Sequence, residues 1–378
     1  MCSLRDLPVL TQTGQKPRQK SHSAASPDLM LANPLSLSLH SLGQQMQLGQ
    51  LKRRAVITLL GGAVAAWPLA AKAQQPSASP LIGFLHSQTA DAFPELLREF
   101  RQGLKDSGYV EGTNLSIEYR WALNQTDRLQ SLIADLTNRR IAVLAAMDTP
   151  SALAAKEVIG PTAVVFITGI DPVAAGLVAS LARPGGNLTG VNFLSGELTE
   201  KRLGVMRELI PGAARFAVLL NAVDVANSET TMRDVEGAAR ALGVQIRFVK
   251  VSTSRDIDAA FASLARERPD ALLIGSGPYF YARRVQLALL AAKYGLPTMY
   301  TQRPYVEAGG LLSYGASVSG AWRQVGLYVG RILKGAKPAD LPVVQPSKFE
   351  LILNADTARI LDITVPPSLL SLADEVIE

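Results

Sequence analysis

The sequence is nearly empty of the side chains on which much enzyme chemistry depends. It holds one cysteine, Cys2, in 378 residues. Beyond the apolar run that begins at Ala55, disulfides, thiol nucleophiles, cysteine metal sites and a lipid-carrying cysteine are therefore excluded. Two of the three histidines, His22 and His40, also precede that run, which leaves His86. A multi-histidine metal centre is ruled out there, and any Ser-His-Asp arrangement would have to use His86. Gly-rich phosphate loops are missing as well: the first apolar run, Leu81–His86, leads into Ser87-Gln88-Thr89, and there is no P-loop. A long membrane span is lacking too, since the run from Ala55 is short and carries Gly61-Gly62 and Pro68. Finally, the excess of positive charge is local. Of 38 basic and 32 acidic residues, eight and two fall within residues 1–73, so 30 of each sign remain. Nothing in that neutral balance points to nucleic acid or an anionic membrane.

What is present begins with Lys52-Arg53-Arg54, the apolar run, and Ala71-Lys72-Ala73-Gln74. A charged patch, a short apolar stretch and an A-x-A site form an export signal, and the paired arginines point to the twin-arginine route. Cleavage is expected near Ala73, giving a periplasmic chain that has used the export machinery. Met46 lies just upstream of the arginines, so residues 46–73 are read as the signal. Residues 1–45 are read as a disordered or mis-called extension.

The remaining chain alternates short apolar runs with amphipathic stretches, the pattern of parallel α/β layers. Strands are expected at Leu81–His86, Leu115–Arg120, Ile141–Ala146, Ala163–Ile167 and Leu188–Asn192. Helices are expected between them, including Pro94–Ser107, Asp127–Asn138, one from Ser151 and a short one near Ala174–Leu181. The plan restarts with a helix at Leu198–Ile210 and strands at Phe216–Leu220, Gln245–Val251 and Ala271–Ile274. The spacing predicts two doubly wound lobes of roughly 300 residues together. The later strand Gly310–Tyr314, helix Ala321–Leu333 and strand Val343–Leu353 are too short for a third core.

In such sheets ligands bind where strand carboxyl ends meet helix N-termini. The loops at those ends supply Ser87, Gln88, Thr149, Ser151, Asp171, Asn221, Ser276 and Tyr279 as candidates. Each of these is equally readable as an N-cap or turn residue.

Several segments resemble one family. They are Phe100-Arg101-Gln102-Gly103-Leu104, Gly108-Tyr109-Val110-Glu111-Gly112, Ile117-Glu118-Tyr119-Arg120-Trp121, Asp171-Pro172-Val173 and Arg183-Pro184-Gly185-Gly186-Asn187-Leu188-Thr189-Gly190-Val191. Ala308-Gly309-Gly310-Leu311-Leu312-Ser313-Tyr314-Gly315 and Leu341-Pro342-Val343-Val344-Gln345-Pro346 complete the set. From about Leu81 onward the chain resembles ABC transporter substrate-binding proteins related to the tryptophan- and tyrosine-binding branch. The resemblance implies a type I periplasmic-binding fold, α/β with two doubly wound parallel-sheet lobes joined by three hinge crossings. The crossings are expected near Val191–Leu194, Val306–Gly310 and Val343–Pro346. Lobe 1 then comprises residues 81–192 plus about 310–340, and lobe 2 residues 193–309 plus about 346–365.

It further implies capture of a small-molecule solute in an interlobe cleft and delivery to an ABC permease in the inner membrane, with no chemical step, no cofactor and no metal. A receptor-coupled sensor subunit is the alternative reading, with a doubly wound enzyme behind it. A repressor of this fold would need a helix-turn-helix where the export signal stands. Within the cleft, the helix start at Ser151, with Thr149, suits a carboxylate. Asp171 suits an ammonium group, or caps the helix after Pro172. Tyr279, Tyr300 and Tyr314 border an apolar ligand body, or pack core and hinge. Together they imply an amino acid or similar zwitterion. Met147-Asp148 departs from the small residues expected before Thr149. A carboxylate there opposes a carboxylate ligand if desolvated; otherwise Asp148 faces solvent, or the ligand is cationic or neutral.

Overall fold

Alternation along the strands of the first half sorts their side chains onto two buried faces. The computed structural model describes residues 79–158, 160–193 and 198–378, all within one compact unit. The expectations about residues 1–45, the Met46 start, the export signal and the cleavage near Ala73 lie outside the described residues. Strands β1 (Leu81–His86), β2 (Ser116–Trp121), β3 (Val143–Ala146), β4 (Ala163–Thr168) and β5 (Leu188–Asn192) form a parallel sheet in the order β2-β1-β3-β4-β5. Ile82, Phe84, Val143, Ala145, Val165 and Ile167 face one apolar cluster. Their neighbours Leu85, Leu144, Ala146, Val164 and Phe166 face another. Both faces are covered, which is why the runs read as continuously apolar. Helices α1 (Pro94–Asp106), α2 (Leu129–Asn138) and α3 (Thr149–Val158) connect these strands.

The second half begins with α4 (Thr199–Leu209), β6 (Arg215–Asn221), α5 (Val225–Leu242), β7 (Gln245–Val251), α6 (Ser254–Glu267) and β8 (Ala271–Ile274). Helices α7 (Pro278–Ala282) and α8 (Arg284–Tyr294), β9 (Thr298–Tyr300), α9 (Arg303–Glu307) and β10 (Leu312–Ala316) follow. The chain closes with α10 (Val318–Leu333), β11 (Phe349–Asn354), α11 (Ala355–Ile360), α12 (Pro367–Leu372) and β12 (Glu375–Ile377). The second sheet has the order β12-β11-β10-β9-β8-β6-β7, parallel except for the β10–β11 pair.

Four local expectations need correction. β10 belongs to the second sheet, because it pairs with β9 through Leu312–Met299 and with β11 through Leu312–Leu353. The segment from 310 therefore does not start in the first lobe. The chain changes lobe at Ser317, between β10 and α10, rather than at Val306–Gly310, where Gly309 and Gly310 instead terminate α9. The short helix near Ala174–Leu181 is replaced by successive turns, with Gly176 at φ +65°. The strand expected from Val343 starts at Phe349; Val344 makes an isolated bridge to Val191 instead.

Helix α10 returns to the first lobe and packs along α1. Glycines make that approach close: a Cβ at Gly103 would sit 2.0 Å from the Arg323 carbonyl oxygen, and one at Gly326 would sit 2.2 Å from that of Phe100. Phe84, Phe100 and Trp322 interlock beneath this crossing, with ring centroids 5.4 Å and 5.8 Å from Phe84. Beyond α10 the chain recrosses beside β5, where Val344 N donates to Gly190 O and Asn192 N donates to Val344 O, both at 2.9 Å. The result is a two-lobed α/β molecule of the type I periplasmic-binding kind.

Candidate functional site

A cavity of about 500 Å³, counting the space at its mouth, opens where the carboxyl ends of both sheets meet. The first lobe and α10 contribute His86, Phe93, Asp148, Thr149, Thr168 and Trp322 to its wall. The second lobe contributes Asn227, Ser276, Gly277, Tyr281 and Gln302. The lobes touch around it. The Phe93 and Tyr281 rings stack at 5.3 Å, Thr149 Oγ1 donates to Asn227 Oδ1 at 3.4 Å, and Asn124 Nδ2 donates to Ser252 O at 3.4 Å.

The polar end is organised by Asp148, which is buried rather than facing solvent. It is the N-cap of α3: Oδ1 accepts from Ser151 N at 2.9 Å. Its Oδ2 accepts from Ser87 N at 2.7 Å and lies 3.1 Å from His86 Nδ1. Gln88 N donates to the same Nδ1 at 3.1 Å. Burial lowers the His86 pKa, and Asp148 offsets this only in part, so the ring is neutral at neutral pH. Phe93, Trp121 and Trp322 surround it at 4.3, 5.3 and 5.7 Å.

The second lobe brings another carboxylate close. Asp224 caps α5, accepting from Asn227 N at 3.3 Å and from Asn227 Nδ2 at 2.5 Å. Its pKa is pushed up to about 6, first by burial and then by the Asp148 charge, against the two bonds from Asn227. Thr149 and Thr168 complete the polar wall, with their hydroxyl oxygens 3.1 Å apart.

The candidates from the sequence divide sharply. Thr149 and Ser276 line the cavity. Ser87, Gln88 and Ser151 lie behind its wall: Ser87 and Ser151 hold Asp148 through backbone N–H groups, and Gln88 Nε2 donates to Asn124 Oδ1 at 2.9 Å. Asp171 is exposed and caps its own turn, accepting from Val173 N and Ala174 N at 2.8 and 3.2 Å. Asn221 does the same for Val223 N at 3.1 Å. Tyr279 is buried under the Arg283 guanidinium, 3.9 Å from its ring centre. Tyr300 stacks on Tyr305 at 5.0 Å inside the core. Tyr314 packs in the second-lobe core, beneath Lys201.

Wall residues that were not anticipated include Phe93, Thr168, Asn227, Tyr281, Gln302 and Trp322. Phe93 stands next to Pro94 at the start of α1, and Tyr281 lies three residues after Pro278 in α7. Asn227 follows Asp224 in the D-x-x-N spacing of a helix cap, one signal that could have found it. Among the described residues there is no group of three or more His, Cys, Asp or Glu that could hold a metal ion. No described helix is long and apolar enough to cross a membrane.

Two α/β lobes around a shared, partly aromatic cavity define a small-solute binding protein. Residues 86–377 match the family model of the ABC transporter substrate binding protein, and the chain belongs to that family. It is 28% identical over 264 residues to a tyrosine-binding protein of Clostridioides difficile, covering 70% of this chain and 75% of that protein. Its fold is similar to a conserved domain protein from Vibrio cholerae, with a TM-score of 0.73 and 25% identity over 79% of this chain and 99% of the other. It is also similar to an ABC domain in complex with L-Trp from Streptococcus pneumoniae, with a TM-score of 0.72 and 23% identity over 79% of this chain and all of the other (100%).

Proposed function

We propose that the chain is the extracytoplasmic solute-binding component of an ABC importer. It captures a small polar or amino-acid-like solute between its lobes and presents it to a membrane permease. The observation that carries this reading is the cavity itself, which has walls from both lobes and sits at the strand ends of both sheets. A solute that touches Thr149 and Trp322 on one side and Asn227 and Tyr281 on the other gains all its contacts only when the lobes are together. Binding then shifts the population toward closure. Family membership supports the pairing with a permease. The names of the tyrosine-binding relative and of the L-Trp complex support a solute built like an amino acid. The Arg53-Arg54 segment, with cleavage near Ala73, supports a periplasmic location.

A thermal-shift screen of the purified protein against amino acids, polyamines and aromatic acids tests the reading. A solute at about 100 times its Kd adds about 2.7 kcal/mol of stability. Silence toward every solute, together with hydrolysis of a chromogenic ester, would overturn it in favour of an enzyme.

A further inference from the structure

Resting on that reading, we infer that the cavity takes an organic ammonium ion with an apolar, ring-sized body and no carboxylate at its first-lobe end. Four of the backbone donors that could seat a carboxylate at this end are spent inside the protein. Ser151 N and Ser87 N both donate to Asp148, at 2.9 and 2.7 Å. Gly169 N donates to Thr149 Oγ1 at 3.1 Å, and Ile170 N donates to Thr168 Oγ1 at 3.2 Å. The protein's own carboxylate thus sits at the helix N-terminus where a ligand carboxylate would bind.

What remains at this end of the wall is rich in acceptors. Asp148 contributes a carboxylate, Thr168 contributes the lone pair of its hydroxyl that Ile170 N leaves open, and Asn227 contributes the lone pair of its amide oxygen that Thr149 Oγ1 leaves open. Among the described residues no lysine or arginine lines the cavity, whereas a second buried carboxylate, Asp224, stands directly behind Asn227. Acceptors without a matching cation select a ligand that brings donors and positive charge. The rest of the wall is aromatic. Phe93 stacks against Tyr281 at 5.3 Å with an interplanar angle of 11°, and lies 5.9 Å and 13° from Trp322. Such rings border a flat apolar body, and the guanidinium near them, that of Arg284, is spent on the Tyr281 ring at 4.8 Å and on the Ala92 and Tyr281 carbonyls.

The test compares matched pairs on the purified full-length protein by calorimetry: tyramine with tyrosine, tryptamine with tryptophan, and phenethylamine with phenylalanine. Indole-3-acetate serves as the anion. The amine of at least one pair is expected to bind ten or more times more tightly than its amino acid, and the anion is expected to give no heat. Asp148→Asn keeps an acceptor for Ser151 N and is expected to narrow that ratio at least tenfold by weakening the amine. An amino acid that binds as tightly as its amine, or a neutral or anionic solute that binds while every amine is silent, overturns the inference and leaves the solute-binding reading intact. No binding by any of these probes overturns the inference; the solute-binding reading falls with it only if the wider screen is also silent and the ester is hydrolysed. If Asp148→Asn does not fold, the wild-type ratios decide alone.

Discussion

Asp224 makes the stability of the closed molecule depend on pH in an unusual direction. Its carboxyl is raised from the ordinary 3.8 to about 6 by burial. The folded state therefore holds a proton that the unfolded chain has released, and stability falls as pH rises from about 4 through 6. A difference of roughly two units corresponds to about 3 kcal/mol lost by pH 7. His86 works the other way over part of the same range. Its pKa is lowered from 6.5 by burial, so its contribution is present above 6.5 and is lost as the pH falls below it. Asp106, Asp135, Asp256, Asp270 and Glu375 are all lowered by hydrogen bonds, and so add losses only at the acid end. The wild-type profile mixes these slopes, whereas the difference from Asp224→Asn isolates one.

The assay is urea unfolding followed by circular dichroism from pH 4 to 8. The variant still presents a side-chain oxygen to Asn227 N, so any lost hydrogen bonding shifts its curve by a constant. The expected difference curve moves by about 2 kcal/mol in favour of the variant between pH 4 and pH 7, part of the full loss lying below pH 4. A difference that stays flat within about 1 kcal/mol would refute the argument that Asp224 is buried against its charge.

Four further outcomes are expected. Gly326→Ala drives a Cβ into the Phe100 carbonyl and should cost about 1–3 kcal/mol or more. Gly204→Ala, in α4 with no atom within 4 Å of the added Cβ, should gain about 0.5–1 kcal/mol; chemical denaturation measures both. Asp171→Ala removes only a turn cap, so calorimetry should find solute affinity unchanged while stability drops by about 0.5–2 kcal/mol. A tenfold loss of affinity would restore Asp171 to the site. Tyr281→Ala removes a ring that bridges the lobes, worth about 0.5–1.5 kcal/mol of stacking, and should open the molecule. Small-angle scattering should show a larger radius of gyration for the variant, and an unchanged radius would place the closure elsewhere.

The layers of the fold were legible because buried parallel strands leave a distinctive record: short apolar runs such as Ala163-Val164-Val165-Phe166-Ile167 between helical spacings. Strand partners leave none. Leu311-Leu312-Ser313-Tyr314 reads the same in either sheet, and only its ladder with Met299 and Leu353 assigns it to the second. The site was half legible for a similar reason. Strand-end position pointed to Thr149 and Ser276, but it could not separate side chains that turn into the cleft from those that cap locally, as Asp171 and Asn221 do. Asp148 was visible as an anomaly, and its burial gave the anomaly its meaning. The aromatic wall was hidden because Phe93 and Trp322 carry the same apolar spacing as core residues of α1 and α10. The three tyrosines chosen from the sequence have the opposite fate, packed in the interior or against cations.

The return of α10 to the first lobe also governs how the protein can be made. The face of α1 that carries Phe100, Gly103 and Leu104 is covered by a helix that leaves the ribosome only after β6 to β10 have been synthesised. Until then the first lobe has an uncovered apolar flank and lacks Trp322 against Phe84. Its completion waits on the second lobe, so a chain truncated anywhere before Val318 exposes a sticky surface instead of yielding one finished half.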